Sequence, residues 1–268
     1  MPTPSITTVR GSGARWGPLW GARPRDWAVS EHQQTPTYQA ALDHVGLEPG
    51  QRVLDVGCGV GAFLELVAGR GGIPSGIDAS EALIGLARER LPGADLRVGD
   101  MEALPHADAR FDLVTGFNAF FFANDMAAAL RAAGRVARPG APVLIQVWGD
   151  HDRCELEALK AIIRPYLPPR PPDAPADPDF SQPGVLEGLA IAAGLTPESD
   201  FTVRWAYRFE DADVLGRAMM APAGIAALVG PDREAEVRAA MVDGLSGFRT
   251  AGGAYELEND FRVLVARA

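Results

Sequence analysis

The chain has 268 residues, 47% hydrophobic and 22% charged, with a formal net charge of −10. That length suits one large α/β domain with an appended cap, or two small domains, and the acidic balance argues against nucleic-acid backbones and anionic lipid, which need clustered Lys and Arg. No apolar run approaches the ~20 residues that span a bilayer, the N-terminus lacks the apolar stretch of a signal peptide, and Cys58 and Cys154 suggest neither a disulfide framework nor a zinc site, so a metal-free cytoplasmic protein is the expectation.

Residues 1 to about 30 are rich in Gly, Pro and Arg and carry Trp16, Trp20 and Trp27. This composition predicts no regular core element, yet three indoles need burial. The segment 1–34 reads either as a lid over a ligand site or as an arm packed on the side of the domain. Thr35 then reads as the N-cap of a helix with Pro36 in its first turn. Tyr38, Ala41, Leu42 and Val45 give it an apolar face, and Gly46 ends it.

The chain is organised around Val53-Leu54-Asp55-Val56-Gly57-Cys58-Gly59-Val60-Gly61. An apolar run stops at alternating glycines, and a helical pattern follows. This predicts a buried strand, a tight turn and a helix whose first N–H groups point at a ligand. Gly57, Gly59 and Ala62 loosely satisfy a dinucleotide fingerprint, but Asp55 sits inside the strand. An anion beside a diphosphate is repelled. A carboxylate suits a cation, and S-adenosylmethionine carries a sulfonium and an ammonium.

The string Leu54 to Gly61 resembles the first motif of the class I S-adenosylmethionine-dependent methyltransferases. A second strand, Ile73 to Asp78, ends in an acid placed to accept from both ribose hydroxyls, and Ser80 reads as the cap of the next helix. A third short strand, Asp95 to Gly99, leads into Asp100-Met101. The resemblance implies that Asp100 accepts from the adenine amino group and that Met101 packs on the ring. It also implies that backbone near Phe117, at the end of a fourth strand from Phe111, holds the amino-acid end of the cofactor. Gly57, Gly59 and Gly61 complete the cofactor set with Asp55, Asp78, Asp100, Met101 and Phe117. Phe120 to Phe122 either line a pocket or seat the helix from Met126 to Ala137. The close at Arg138-Pro139-Gly140 resembles the family's turn before its fifth strand, here Pro142 to Trp148.

The second half is more individual. A helix is expected over roughly Asp152 to Arg164. A proline-dense connector follows from Pro165 to Pro178, then a helix from Pro183 to Ala193 capped by Ser181. Phe201 to Phe209 and Tyr255 to Val265 alternate with period two, which predicts an antiparallel pair at the sheet edge. Helical patterns between about 211 and 250, with Met219 and Met220 among them, read as a cap over the site. The expected architecture is therefore a Rossmann-like doubly wound sheet, mostly parallel with a C-terminal antiparallel pair and a small helical cap. It divides into an N-terminal segment 1–34, a cofactor-binding core 35–150 and a C-terminal part 151–268.

Methyl transfer to O, N or C of a small molecule is the function this implies, the expected acceptor being an apolar or aromatic molecule such as a specialised metabolite. His151, just past the fifth strand, is the candidate base, with Tyr38 behind it. Asn118-Ala119-Phe120-Phe121 lacks the two prolines of exocyclic-amino DNA methyltransferases. The alternatives are an NAD(P)-dependent oxidoreductase and a protein that binds S-adenosylmethionine without methylating. Neither nucleic acid nor membrane is an expected partner, and oligomeric state is open.

Overall fold

The computed structural model describes residues 11–169 and 178–268. Most of the expected proline-dense connector and the first ten residues lie outside them. The parallel core begins with β1 (Arg52–Val56), followed by β2 (Ile73–Asp78), β3 (Asp95–Val98), β4 (Leu113–Phe117) and β5 (Pro142–Trp148). β6 (Thr196–Phe209) and β7 (Tyr255–Arg267) complete a seven-stranded sheet in the order β3-β2-β1-β4-β5-β7-β6. β1 pairs in parallel with both β2 and β4, so the strand order reverses beside it. A ligand crevice opens at the carboxyl ends of the strands at such a point. β7 runs antiparallel to both β5 and β6, as the period-two patterns predict.

The strands next to β1 are apolar because both faces of the sheet are covered. On one face lie α3 (Thr35–Val45), α4 (Ala62–Gly69) and α5 (Glu81–Arg90), burying Leu42, Phe63, Leu64 and Ile84. On the other lie α6 (Met126–Val136) and α8 (Val185–Ala192), burying Leu130, Val136, Leu186 and Ala190. Ser80 caps α5 by accepting from Leu83 N at 3.2 Å, as its position predicts.

A second apolar cluster sits beyond the sheet. β5 pairs with β7 only as far as Phe261, whereas β6 accompanies β7 out to Tyr255. This two-stranded overhang carries Tyr207, Phe209, Tyr255 and Leu257 into a core shared with α7 (Glu157–Ile163), α9 (Ala212–Met220) and α11 (Glu234–Gly244). The short α10 (Ile225–Val229) closes one side. Among the described residues no single helix is long and apolar enough to cross a membrane.

Local expectations fail in four places. The N-terminal segment is helical, as α1 (Ser12–Trp20) and α2 (Pro24–His32). Tertiary contact overrides its poor propensity: Trp16 and Trp20 pack edge-on against Phe122, and Trp20 against Trp27. Gln34, not Thr35, holds the N-cap position of α3, and the Thr35 hydroxyl donates back to His32 O. Gly184, not Ser181, precedes α8; its N–H donates to Glu187. The helix expected from Asp152 splits into a single turn, His151–Arg153, and the later α7. There Asn259 Oδ1 accepts from Leu156 N and ties the break to β7.

Candidate active site

The site grows from the end of β1. Asp55 is buried between β2 and β4 and accepts from Thr115 Oγ1 at 2.7 Å. Burial pushes its carboxyl well above the usual range, and the charges of Glu31 and Asp78 push the same way. Gly57 follows with φ +77, and a Cβ there would lie 2.5 Å from that of Ala119. The turn therefore needs both the left-handed backbone and the missing side chain. At the tip of β2, Asp78 accepts from Gly59 N at 3.0 Å and from Ser80 N at 2.8 Å. Burial raises its pKa against those donors.

The amides that open α4 have an internal partner. Glu31, on α2, accepts from Val60 N at 2.7 Å, from Ala62 N at 2.9 Å and from the Trp27 indole at 2.8 Å. A Cβ on Gly59 would stand 2.1 Å from Glu31 Oε2. Burial lifts the Glu31 carboxyl to about 7, opposed by its two backbone donors and by Arg90. So a chain segment read as irregular supplies a third acid to the glycine turn.

α1 closes the adjoining end. Asp100 accepts from Gly13 N at 2.6 Å, from the Ser12 hydroxyl at 3.3 Å and from Glu102 N at 2.8 Å. Gly17 packs so closely on the turn after β2 that a Cβ would meet Ala79 O at 2.4 Å.

These elements enclose a cavity of about 340 Å³, within the range of small-molecule sites. Asp55, Gly57, Gly59, Asp78, Met101 and Phe117 line it, as do Phe121 and Phe122. Gly61 faces the opposite way, toward Ala87 and Leu91 of the α5 side. Asp100 is turned into α1, while its neighbours Gly99 and Met101 reach the cavity. His151 does not line the cavity; it is 47% exposed, with its imidazole against Glu157, which does line it, at 3.0 Å and against Asp179 at 3.3 Å. From the glycine turn the cavity continues under the cap to Trp148, Leu159, Ile163, Tyr207, Met219 and Ile225.

Comparison with known proteins places this geometry. A methyltransferase-domain family model matches residues 54–145. The ubiquinone biosynthesis O-methyltransferase of Hahella chejuensis is 39% identical over 133 residues, 48% of this chain and 56% of that protein. The demethylmenaquinone methyltransferase of Renibacterium salmoninarum is 31% identical over 164 residues, 61% of this chain and 68% of that protein. This chain belongs to the class I S-adenosylmethionine-dependent methyltransferase family. It spans about half to two thirds of the length of these curated relatives. The crystal structure of the 4+2 cyclase SpnF shares the fold across 97% of both chains, with a TM-score of 0.63 and 19% identity.

Sequence reasoning missed Glu31, Gln34 and Tyr207 as residues lining this cavity. Only the i,i+4 spacing of Trp27 and Glu31 hinted at a paired, inward-facing acid. The phenol of Tyr38 does line the cavity, and burial drives its pKa well upward, so it stays protonated. The Cys58 thiol is likewise pushed up by burial and is a packed small residue rather than a thiolate.

Proposed function

We propose that this chain binds S-adenosylmethionine in the glycine turn and transfers its methyl group to a small apolar molecule held under the cap. One observation carries the reading: a single cavity joins a cradle of three acids, the buried Asp55 and Glu31 and the half-buried Asp78, to a chamber walled mostly by aromatic and aliphatic side chains, with Glu157 and Lys160 also on its lining. The residues fit the cofactor. Asp78 keeps lone pairs free for two ribose hydroxyls, Met101 offers an apolar face beside the adenine end, and Phe117 ends β4 beside Gly57. Bound there, the cofactor supplies a methyl group already activated by its sulfonium.

The protein's own contribution is placement and exclusion of water. α1 and α2 act as a lid, with Trp16, Trp20 and Trp27 turned to the cavity. The cap closes the opposite mouth. Holding an acceptor collinear with the reacting carbon is the larger part of such catalysis.

Calorimetric titration with S-adenosylhomocysteine tests the cofactor site. Asp78→Ala removes charge-assisted hydrogen bonds and should weaken binding by about 10- to 100-fold. Unchanged affinity would refute the cradle. Methyl transfer is tested by S-adenosylhomocysteine release across a panel of phenols, quinols and carboxylic acids. Tight cofactor binding with no release on any acceptor would refute methyl transfer and leave only the binding.

A further inference from the structure

Among the described residues six buried side-chain atoms lack a hydrogen-bond partner, and three of them, Thr37 Oγ1, Asn118 Oδ1 and Gln146 Oε1, surround the first turn of α3. Unpaired buried polar atoms are uncommon, and each calls for a physical explanation.

Gln34 is the centre of this group. It is 3% exposed, and its Oε1 accepts from Asn118 Nδ2 at 3.1 Å and from Gln146 Nε2 at 3.0 Å. Its Nε2 donates to none of the described residues, and it is not among the sealed atoms, so it opens on the cavity that Gln34 lines. Turning all three amides over would bury two unpaired NH2 groups in place of two unpaired oxygens. Orphaned donors are the rarer and costlier of the two. The arrangement with N–H toward the cavity therefore stands.

One helical turn later comes Tyr38, 4% exposed. Its ring is wedged edge-on against Phe63 and Phe117, at 5.6 and 4.7 Å, and its hydroxyl, also on the cavity, has no partner among the described residues. Both donors are rigidly held. Gln33 fastens the start of α3 to β6 through Arg208, donating to its carbonyl at 2.8 Å and accepting from its N–H at 3.0 Å. Asn118 and Gln146 fix Gln34 on the tips of β4 and β5, two residues before Trp148. The pair thus stands at the joint between the glycine turn and the apolar chamber.

We propose that Gln34 and Tyr38 form an oxygen-binding pair that orients the methyl acceptor. Two neutral donors at the edge of a largely apolar chamber, whose lining among the described residues carries charge only at Glu157 and Lys160 beyond the glycine turn, select an oxygen able to accept two hydrogen bonds. The acceptor is therefore an apolar ring or chain bearing a phenolic, enolic or carbonyl oxygen, set beside the reacting methyl group. This rests on the methyltransferase reading above.

The test uses the full chain saturated with S-adenosylhomocysteine and two probes of similar size, 2-naphthol and 2-methylnaphthalene. The unmodified chain should bind 2-naphthol about tenfold more tightly, from two neutral hydrogen bonds. Tyr38→Phe, which keeps the ring packing, and Gln34→Leu should each bring that ratio toward one, with S-adenosylhomocysteine affinity held within about threefold. Equal affinities for the two probes in the unmodified chain, or no saturable binding of either, would overturn the proposal. So would variants that weaken S-adenosylhomocysteine tenfold and leave the ratio intact, since the donors would then serve the cofactor. If S-adenosylhomocysteine fails to bind the unmodified chain, the cofactor reading falls and this proposal with it, an outcome its own titration identifies.

Discussion

Glu31→Gln isolates the titration of one buried carboxyl. In the folded chain Glu31 has a pKa of about 7, against an ordinary 4.5, because burial outweighs its amide donors and Arg90. Between those two values the unfolded chain has released this proton and the folded chain still holds it. The folded state binds more protons, so stability falls as pH rises, by about 1.36 kcal/mol per pH unit and about 3 kcal/mol in all. The contribution is complete below 4.5 and gone above 7. Glutamine has the shape and polarity of the neutral acid but does not titrate. The unfolding free energy of the variant minus that of the wild type should therefore grow by about 2 kcal/mol from pH 5.5 to 8 and then level. Urea unfolding at four pH values across that range, without cofactor, measures it. A difference that stays constant or shrinks would refute the reasoning. It would mean that the amides of Val60 and Ala62 keep Glu31 ionised throughout.

Gly59→Ala should cost at least ~1–2 kcal/mol from left-handed strain alone, and more from the clash at Glu31 Oε2; in a Glu31→Ala background the clash disappears, so additive unfolding energies would show that Glu31 is not what Gly59 makes room for. Asp100→Ala removes the acceptor of Ser12 and Gly13, and hydrogen exchange over residues 12–20 should quicken by about tenfold or more; unchanged protection would place the hold on α1 in its tryptophans instead. His151→Asn should change S-adenosylhomocysteine formation by less than about twofold, since a general base contributes about 10²–10⁴-fold and this imidazole is not on the cavity lining but behind Glu157 and Asp179; a drop of tenfold or more would make it the base.

The parallel core was legible because its signals are local. Val53 to Val56 is an apolar strand cut off by Gly57, and each later strand ends in a loop that its own residues announce, such as Asp78 before Ser80. The antiparallel pair was legible for the same reason: alternation in Phe201 to Phe209 survives although Trp205 is exposed at the sheet edge. The first thirty residues were not. Their glycines and prolines disfavour helix, and what makes α1 and α2 helical lies far along the chain. Phe122 receives Trp16 and Trp20, and Ala79 lies against Gly17. The Gln34 amide is unreadable in sequence for the same reason, since its partners are at 118 and 146.

Glu31 shows what that distance conceals. From sequence, the amides opening α4 belonged to a ligand, and a helix N-terminus with free N–H groups invites an anion. In the fold, the amides of Val60 and Ala62 are already answered by a carboxylate of the chain itself. Two further acids, Asp55 and Asp78, share the site: Asp78 raises the cost of ionising Glu31, and Glu31 and Asp78 together raise that of ionising Asp55. A diphosphate brought to this turn would find its donors taken and three carboxyls around it. A ligand with a cationic centre meets the opposite field: it lowers the pKa of all three acids as it binds and is held more firmly once they ionise. The same closure that hides the glycine turn from solvent thus sets the sign of the ligand it accepts.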